Sequence, residues 1–578
     1  MYFSELASFF QKLETTDSRN AMTEILADLF SQASAAEIDK ICYLCLGRLV
    51  PQYESYEFNL AEKLMFEVLA KAYGKDKEAV KTLYGRLGDL GGVAQALASE
   101  KGEVKSIKDS TVEEVFTKLW EVAGVEGEGS VEKKINLLAE LIASLAPISA
   151  KYAVRIPLKK LRLGFSDMTI LDSLSFMKKK DKSLRKKIEP FYNISADIGK
   201  IARAFKEKDL EGLESIRIVP GTPIRTASAE RLPNAEAIIA KIGKCAAEPK
   251  YDGFRVQIHK KDQEVHIFSR NLEEMSASFP EISAATKKIS VSSIIFEGEA
   301  IGFNSETQEF LPFQETVQRK RKYGITEMAK KIPLKVFVFD LFFREGQKLI
   351  DQPYHQRRQQ LEEIFRKSQS DVFAIAEKKI FEQACDLEAF FQEKISQGLE
   401  GVVVKKLDAP YEAGSRGFSW IKYKREEKGA LDDTLDCLIM GYYYGRGKRA
   451  GFGIGALLVA VYNAAEDVFE SIAKIGTGLT DEQWMEIKKE CDALKVEGKP
   501  ARYKVHKDLN PQVWVLPKLV TVVRADEITK SPLHTAGKIG AEAGYALRFP
   551  RVMELLRHDK KPEDATTVKE ITELYGMQ

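Results

Sequence analysis

The sequence predicts a multidomain protein with an all-α region first, an α+β region second and a β-rich region last. Its 578 residues are too many for one hydrophobic core, so about three or four domains are expected. Apolar residues recur at helical spacing through residues 1–215, and strands alternate with helices from Lys250 onward. Short apolar segments separated by turn residues fill residues 426–578 and predict strands. These patterns place the domain boundaries near residues 215 and 425.

The composition of the chain favours an intracellular globular protein over a membrane or secreted one. A hydrophobic fraction of 44% is typical of a globular protein, and no apolar run is long enough to span a membrane. Residues 1–5 lack a basic leader, so an intracellular protein that is not secreted is expected. The net charge of +2 does not argue for a nucleic-acid partner, although it permits local basic faces. Cys42 and Cys45 have ligand-like spacing but lie in an apolar helical pattern, which favours core packing over zinc or redox chemistry.

The first region is predicted to be helical almost throughout. Phe3, Leu6 and Phe10 recur at the spacing of one helix face. The segment 110–113, Ser-Thr-Val-Glu, predicts a capping box at the start of a helix that carries Val115. We therefore expect successive amphipathic helices that pack around a common core.

Two basic stretches close the helical region. Lys159, Lys160 and Arg162 precede Gly164 and a predicted helix start, an arrangement that could bind a phosphate through side chains and free backbone N–H groups. An ordinary connection between two helices would have the same sequence features. The run from Lys178 to Lys187 is equally compatible with a solvated helix face and with phosphate contacts.

The segment 248–255, Glu-Pro-Lys-Tyr-Asp-Gly-Phe-Arg, carries the strongest chemical signal. The Asp252-Gly253 pair predicts a turn, and residues 256–259 alternate like a strand, so Lys250 should project from a bend beside a sheet. A lysine amine is a nucleophile only when uncharged, so such a site must disfavour the ammonium through burial or nearby cations. A surface lysine in a hairpin is the alternative.

Three apolar strands carry further candidate residues. Glu299 ends the strand 294–299 and Glu400 opens the strand 400–405, and a carboxylate in either place needs a cation or a hydroxyl as partner. Phe339 lies in the segment 336–343, which is apolar on both faces as in a buried strand. Its position alone would predict a core residue.

Basic residues at other strand positions predict an anion site. Lys422 and Lys424 alternate, so both face one side of a strand, where like charges repel unless an anion lies between them. The same cations would disfavour the ammonium of Lys250. Arg270 follows a predicted strand, where it could reach a ribose or phosphate or lie in a surface turn.

The last region contains a basic loop. Residues 442–449 combine three tyrosines and two glycines with Arg446, Lys448 and Arg449. The loop could be a simple hairpin, but basic glycine-rich loops on small barrels are also common nucleic-acid contacts.

Taken together, these segments resemble the covalent nucleotidyltransferases, which comprise ATP-dependent DNA ligases, RNA ligases and mRNA capping enzymes. Segment 248–255 resembles the first motif of that superfamily, in which the lysine carries AMP or GMP as a phosphoramidate. Segments 294–299, 400–405 and 547–551 resemble the third, fourth and sixth motifs. The resemblance covers nearly the whole chain and is closest to DNA ligases of archaeal and eukaryotic type.

The resemblance implies roles for individual residues, with Lys250 as the catalytic nucleophile and Phe339 as the ring that stacks on adenine. Nucleotide contacts are implied for Glu248, Arg255, Arg270, Glu299, Phe339, Arg416, Lys422, Lys424, Arg548 and Arg551. Metal contacts are implied for Glu299 and Glu400, and DNA contacts are predicted for Lys159, Lys160, Arg162, Arg446, Lys448 and Arg449. The chain departs from the usual motifs at Glu297, where the family more often has aspartate, and at Thr226-Ala227, where it usually has proline and methionine.

The implied activity is ATP-dependent sealing of nicks in duplex DNA through a lysyl-AMP and a DNA-adenylate, in replication, repair and recombination. The implied architecture is an all-α DNA-binding domain (1–215), an α+β adenylation domain (216–425) and a β-barrel OB-fold domain with a short helical tail (426–578). ATP and Mg²⁺ or Mn²⁺ are the expected cofactors and nicked double-stranded DNA is the expected partner. A sliding clamp is a further candidate partner, and a monomer in the cytoplasm or on the nucleoid is expected.

Other activities fit the sequence less well. An RNA ligase or a capping enzyme would not need the long helical region that precedes Lys250. An NAD-dependent ligase would need a nicotinamide-binding segment and usually a four-cysteine zinc site. A non-catalytic DNA-binding scaffold would not need Lys250, Glu299, Glu400, Lys422 and Lys424 together.

Overall fold

The structure is a computed structural model and describes residues 1–16, 18–100, 109–161, 163–304, 310–311, 313–320, 324–367, 370–424, 434–445, 453–540 and 542–576. The chain divides into two units, Met1–Lys424 and Arg425–Gln578. Among the described residues, every helix is too short or too polar to cross a bilayer.

The first part of the N-terminal unit is helical, as the apolar periodicity predicts. Its helices are α1 (Phe3–Glu14), α2 (Arg19–Gln32), α3 (Ile38–Cys45), α4 (Glu62–Tyr73), α5 (Lys77–Leu87), α6 (Leu90–Glu100), α7 (Val112–Gly124), α8 (Ser130–Ala143), α9 (Pro147–Arg155), α10 (Asp167–Lys179), α11 (Arg185–Ser195) and α12 (Ile198–Leu213). Phe3, Leu6 and Phe10 lie on the buried face of α1. Cys42 and Cys45 are buried in α3.

The capping box before α7 lies one residue later than the sequence predicts. The N-cap is Thr111, whose hydroxyl accepts from the Glu114 N–H at 3.2 Å. Glu114 in turn accepts from the Thr111 N–H at 2.7 Å. The predicted pair, Ser110 and Glu113, was wrong because Ser-Thr and Glu-Glu stand side by side and the sequence pattern fits both registers.

Two sheets follow the helices in the same unit. One has the order β1-β11-β10-β2-β9 and the other the order β4-β3-β5-β6-β7, with β8 on β6. The strands are β1 (Ser228–Arg231), β2 (Cys245–Pro249), β3 (Phe254–Lys261), β4 (Glu264–Ser269), β5 (Ser293–Gly302), β6 (Leu334–Arg344), β7 (Gln347–Lys348), β8 (Phe373–Ile375), β9 (Lys379–Phe381), β10 (Gly401–Lys406) and β11 (Arg416–Lys424). The helices are α13 (Ala235–Ile242), α14 (Pro280–Lys287), α15 (Phe313–Thr316), α16 (Ile325–Lys331), α17 (Tyr354–Lys367) and α18 (Ala384–Ser396).

One hydrophobic core joins the helical region to the sheets. Ile224, Phe342, Tyr411 and Trp420 belong to the same buried cluster as the cores of α1 to α12. Removing the helices would therefore expose apolar surface on the sheets. The division of this unit near residue 215 stays a prediction.

The segment that links α12 to β1 is fixed by polar side chains of β3. Gln257 accepts from the Ile224 N–H at 2.7 Å and donates to the Ile224 carbonyl at 2.9 Å. Nδ1 of His259 accepts from the Gly221 N–H at 3.1 Å, and its Nε2 lies 2.9 Å from Gln257 Oε1. Both side chains are buried, so every polar atom needs such a partner.

The buried His259 predicts a pH-dependent stability. Because Nδ1 accepts a hydrogen bond, the ring is the neutral tautomer with its proton on Nε2. Burial, aided by nearby His266, holds the pKa of His259 well below its usual value. The unfolded chain binds a proton here below about pH 6.5 and the folded chain does not, so stability falls as pH falls, by about 1.4 kcal/mol per pH unit.

Thermal unfolding of the wild type and of His259→Gln between about pH 7.5 and about pH 5.5 measures this dependence. The wild type should lose stability more steeply than His259→Gln, and the difference between the two slopes should approach one proton below about pH 6.5. Parallel pH profiles of the two proteins would show that His259 is not held neutral.

The C-terminal unit is rich in strands. Its main sheet has the order β15-β17-β12-β13-β14-β16, with β18 paired to β12 and to β21, and β19 pairs with β20. The strands are β12 (Leu435–Tyr443), β13 (Ala456–Asn463), β14 (Val468–Ile475), β15 (Lys495–Val496), β16 (Tyr503–Lys504), β17 (Val513–Val515), β18 (Val520–Arg524), β19 (Glu527–Ser531), β20 (Gly544–Arg548) and β21 (Arg551–Glu554). Helix α19 (Asp481–Ala493) buries Trp484 against this sheet, and α20 (Val568–Gly576) ends the described chain.

Candidate functional site

Lys250 lies in the turn that connects the two sheets of the N-terminal unit, between β2 and β3. Its N–H donates to the Gly401 carbonyl at 2.9 Å, and its ammonium pairs with Glu400, the residue before β10. A Cβ on Gly253 would lie 2.3 Å from the Ala300 carbonyl oxygen, so the turn requires glycine there. The predicted bend is confirmed, and the Lys250 side chain, 25% exposed, is open to a ligand.

Glu400 lies between two lysines. Besides Lys250, it contacts Lys424 at 3.5 Å, because Gly401 on β10 pairs with Lys424 on β11. Burial opposes its ionisation, yet the ammonium groups of Lys250 and Lys424 hold the pKa of Glu400 below its usual value. The structure thus places a carboxylate in direct contact with the proposed nucleophile.

Lys422 faces the same side of β11 as Lys424 and lacks an acidic partner within the described ranges. Burial, together with the nearby charges of Arg416 and Lys424, lowers the pKa of Lys422. The protein thus holds an excess of positive charge beside Lys250. An anion bound here would relieve the repulsion, as the alternation of the two lysines predicts.

Glu299 stands directly opposite Arg255 on the neighbouring strand. Burial raises the pKa of Glu299 to about 7; Lys250 and Arg255 oppose the rise, while the nearby Glu400 and Glu297 add to it. Glu299 therefore lies near a second carboxylate, Glu400, and the effect of burial outweighs the attraction of Lys250 and Arg255. A cation or a hydroxyl donor would stabilise its ionised form.

Arg255 is fixed through both terminal nitrogens. Nη1 donates to the Ala227 carbonyl at 2.7 Å, and Nη2 donates to Glu297 and to the Tyr411 hydroxyl, the latter at 2.9 Å. Glu297 is fully buried and also accepts from Gln257 at 3.2 Å. Arg255 thereby contacts the segment that links α12 to β1.

Glu248 belongs to a buried charge network behind Lys250. One carboxylate oxygen accepts from the Tyr354 hydroxyl and from Arg358 at 2.7 Å, and the other contacts Lys405 at 2.7 Å. Both oxygens are thus engaged by the protein. Burial lowers the pKa of Lys405, and Glu248 and Asp340 oppose this shift.

Aromatic rings on β6 line the same region. Phe339 is half-buried, contacts Trp420 edge-to-face at 5.9 Å and lies under the ammonium of Lys405 at 4.6 Å. Phe337 shares that strand face and stacks on Tyr251, next to Lys250, at 4.0 Å. The family resemblance implied a role for Phe339 alone. The apolar run itself does not distinguish Phe337 from Phe339.

The remaining predicted contacts are dispersed. Arg270 and Arg416 are exposed, after β4 and at the start of β11. Lys159 and Lys160 pair with Glu57 and Glu62 of the helical region. In the C-terminal unit Arg548 pairs with Glu527, and Arg551 with Asp526 at 2.6 Å. Arg162, Arg446, Lys448 and Arg449 lie outside the described residues.

The structure also brings in residues that sequence reasoning missed. Lys405 could have been found, since it is a charged residue at the end of the apolar strand β10. Gln257, Arg358 and Tyr411 carry no local signal for this site. Each makes a contact, with Ile224, Glu248 and Ala227 respectively, that spans 33 to 184 residues of the chain. Such long-range polar pairs follow from the fold and not from spacing.

Family models match three stretches of the chain. The model described as "DNA ligase N terminus" matches residues 2–175. The "ATP dependent DNA ligase domain" matches residues 227–424 and therefore covers all the site residues from Glu248 to Lys424. The "ATP dependent DNA ligase C terminal region" matches residues 450–560.

Full-length relatives and a solved structure are also similar. A probable DNA ligase from Dictyoglomus turgidum is 50% identical over 579 residues, covering 100% of this chain and 98% of that protein. A DNA ligase from Saccharolobus solfataricus is 40% identical over 593 residues, covering 100% and 98%. The solved structure named Pmar-Lig_PreS3 covers 95% of this chain and 98% of its own at a TM-score of 0.53 and 18% identity, a likeness of fold alone.

Proposed function

The chain belongs to the ATP-dependent DNA ligase family, and from this premise we propose that it seals nicks in duplex DNA with Lys250 as the residue that carries AMP. The observation that supports this role most is the position of Lys250, which lies in a tight turn among Glu400, Lys424 and Lys422. The family match implies that ATP is the nucleotide consumed.

The proposed reaction has three phosphoryl transfers. Uncharged Nζ of Lys250 attacks the α-phosphate of ATP, forming the P–N bond as the bond to pyrophosphate breaks. The AMP then passes from Lys250 to the 5′-phosphate of the nick, which breaks the P–N bond. Finally the 3′-hydroxyl attacks that 5′-phosphate, closing the phosphodiester and releasing AMP. Positioning and charge stabilisation supply most of the catalysis in reactions of this type.

Several charged residues near Lys250 are proposed to contact the nucleotide. Lys422 and Lys424 bind the nucleotide phosphates, since they form the excess positive charge beside the nucleophile. Arg255, Arg270 and Arg416 are further nucleotide contacts. When the phosphates bring their own charge, Lys424 and Lys422 can turn to them and Lys250 can part from Glu400.

Residues of other elements complete the proposed nucleotide site. Phe339 stacks on adenine. Glu248 is a further nucleotide contact, and its network with Lys405 supports the ring of Phe339. Arg548 and Arg551 of the C-terminal unit assist at the outgoing pyrophosphate, exchanging Glu527 and Asp526 for phosphate oxygens.

A divalent cation, Mg²⁺ or Mn²⁺, fits the two carboxylates next to Lys250. Within the described ranges no cluster of three or more metal-ligating side chains occurs, so an all-protein cage is absent there. Mg²⁺ is commonly bound by one or two carboxylates together with substrate phosphates and water. Glu299, whose pKa is raised by burial to about 7, and Glu400 would hold it. The ion would neutralise charge that develops on the phosphates.

The DNA contacts are also part of the proposal. The helical region binds the duplex, with Lys159, Lys160 and Arg162 as phosphate contacts. On binding DNA, Lys159 and Lys160 would leave Glu57 and Glu62 and contact phosphates instead. The C-terminal unit contributes an OB fold, and Arg446, Lys448 and Arg449, in the basic segment that the sequence pattern predicts to be a loop, contact the DNA. A location inside the cell, on the nucleoid, follows from a DNA substrate.

The metal role of the two carboxylates makes a testable prediction. Glu299→Ala and Glu400→Ala should each slow self-adenylation by about 10²- to 10³-fold, because each loses transition-state charge stabilisation. The Mg²⁺ concentration for half-maximal rate should rise in both variants, and added Mg²⁺ should restore part of the rate. Adenylation rates at graded Mg²⁺ concentrations measure this.

Glu393→Ala is the matched control, because the Glu393 carboxylate contacts Lys379, Lys394 and Gln397, on a surface of the same unit. Its rate and Mg²⁺ dependence should equal those of the wild type. A loss of melting temperature in step with activity, with an unchanged Mg²⁺ requirement, would show that Glu299 and Glu400 are structural.

The proposed function is tested with α-labelled ATP and a nicked duplex. The label should first appear on the protein in an acid-stable linkage and then leave it as the nick is sealed. Intact duplex should leave the labelled protein unchanged. A protein that never takes up the label, or that passes AMP to RNA nicks only, would refute the proposal.

A further inference from the structure

The Tyr411 hydroxyl joins three parts of the N-terminal unit. It accepts from the Ala227 N–H and from Arg255 Nη2, both at 2.9 Å, and donates to Glu297 at 3.2 Å. A tyrosine hydroxyl has one donor and two acceptor positions, so all three are satisfied. The ring is buried between Phe342 and Trp420, which fixes the position of the hydroxyl.

Arg255 depends on this arrangement for its orientation. Its side chain passes within 5.6 Å of the Phe339 ring and 5.1 Å of the Trp420 ring, which do not fix its rotation about the long axis. The directional contacts are Ala227, Glu297 and Tyr411. Within the Arg255 guanidinium, Nε is buried and has no hydrogen-bond partner among the described residues.

Glu297 and Tyr411 act on Arg255 as a pair. Both approach the same nitrogen, Nη2, and the tyrosine hydroxyl also donates to the carboxylate. Without that hydroxyl the carboxylate would lose one hydrogen bond and the Ala227 N–H would lose its acceptor. The guanidinium could then follow Glu297 away from Ala227.

We propose that Tyr411 is a positioning residue for ATP-dependent adenylation, which acts by holding the Arg255 guanidinium toward the nucleotide. The inference rests on the proposed function, in which Arg255 contacts ATP and Lys250 receives AMP. Tyr411 itself does not touch the nucleotide. It also ties Arg255 to Ala227, in the segment that arrives from the helices.

Tyr411→Phe tests the proposal, because it removes the hydroxyl and keeps the ring packing. The ATP concentration for half-maximal self-adenylation should rise about tenfold, because a displaced Arg255 guanidinium would lose a charge-assisted hydrogen bond to ATP. This concentration does not depend on how much of the sample is folded. If Tyr411 were purely structural, Tyr411→Phe would lower the melting temperature and leave the half-maximal ATP concentration unchanged.

Tyr152→Phe is the matched control, since its buried hydroxyl bonds to Glu14 at 2.8 Å within the helical region. It should lower the melting temperature about as much as Tyr411→Phe and leave the ATP dependence unchanged. An equal shift in both variants, or none in Tyr411→Phe, would overturn the proposal. If the wild type forms no AMP adduct, the proposed function fails instead.

A double-mutant cycle identifies the route through Arg255. ATP affinity is measured by calorimetry in the full chain carrying Lys250→Ala, where binding occurs without reaction. Tyr411→Phe should weaken ATP binding about tenfold when Arg255 is present and have no further effect beside Arg255→Lys. Independent, additive losses would show that Tyr411 does not act through Arg255.

Discussion

Lys250→Ala is expected to abolish attachment of AMP while the protein stays folded. The side chain lies in a turn, is 25% exposed and has Glu400 as its ionic partner, so its removal leaves no buried void. No other amine should replace it, because the attacking nitrogen must lie within near-attack distance of the α-phosphate. Incubation with labelled ATP and Mg²⁺, followed by gel analysis, measures the loss.

Lys250→Arg is the matched control for charge. It can keep an ion pair with Glu400, but a guanidinium stays protonated and is not nucleophilic, so it should also form no adduct. Both variants should still seal a nick whose 5′ end already carries AMP. An adduct that survives in either variant would show that another residue is the nucleophile.

Glu248→Ala is expected to cause the largest loss of stability. Glu248 is 3% exposed and balances the buried cations Lys405 and Arg358, each at 2.7 Å. Removing one member of a buried ionic network leaves uncompensated charge and costs about 3–5 kcal/mol. Denaturant unfolding of the N-terminal unit would detect the loss as an earlier midpoint.

Glu248→Gln separates charge from shape. The variant keeps an acceptor for Tyr354 and Arg358 but cannot balance the charge of Lys405. Its free energy of unfolding should therefore lie between those of the wild type and of Glu248→Ala. The exposed pair of Lys244 and Glu382 is the control, and Glu382→Ala should change stability by less than about 0.5 kcal/mol. Equal effects of Glu248→Ala and Glu382→Ala would contradict the network.

The sequence predicted what local patterns determine. Helical spacing in the first region, the turn at Lys250 and the shared face of Lys422 and Lys424 all depend on residues close together along the chain. The family match with ATP-dependent DNA ligases confirms the recognition based on those motifs. The capping box failed by one residue because two registers satisfied the same pattern.

Long-range pairing could not be predicted. Lys250 and Glu400 stand 150 residues apart, and only the placement of β2 beside β10 brings them together. The sequence pointed to cations as the neighbours of Lys250, whereas the structure adds a carboxylate in direct contact. The sequence pattern predicts only that Gln257 lies in a strand. Its hydrogen bond with Ile224 depends on the fold.

Mass analysis of the intact protein tests the central claim most directly. After incubation with ATP and Mg²⁺, the protein should gain the mass of one adenylyl group, and peptide fragmentation should place that group on Lys250. Nicked duplex added to the purified adduct should remove the group and yield sealed DNA and AMP. A protein that gains no mass, or carries AMP on a residue other than Lys250, would contradict the account.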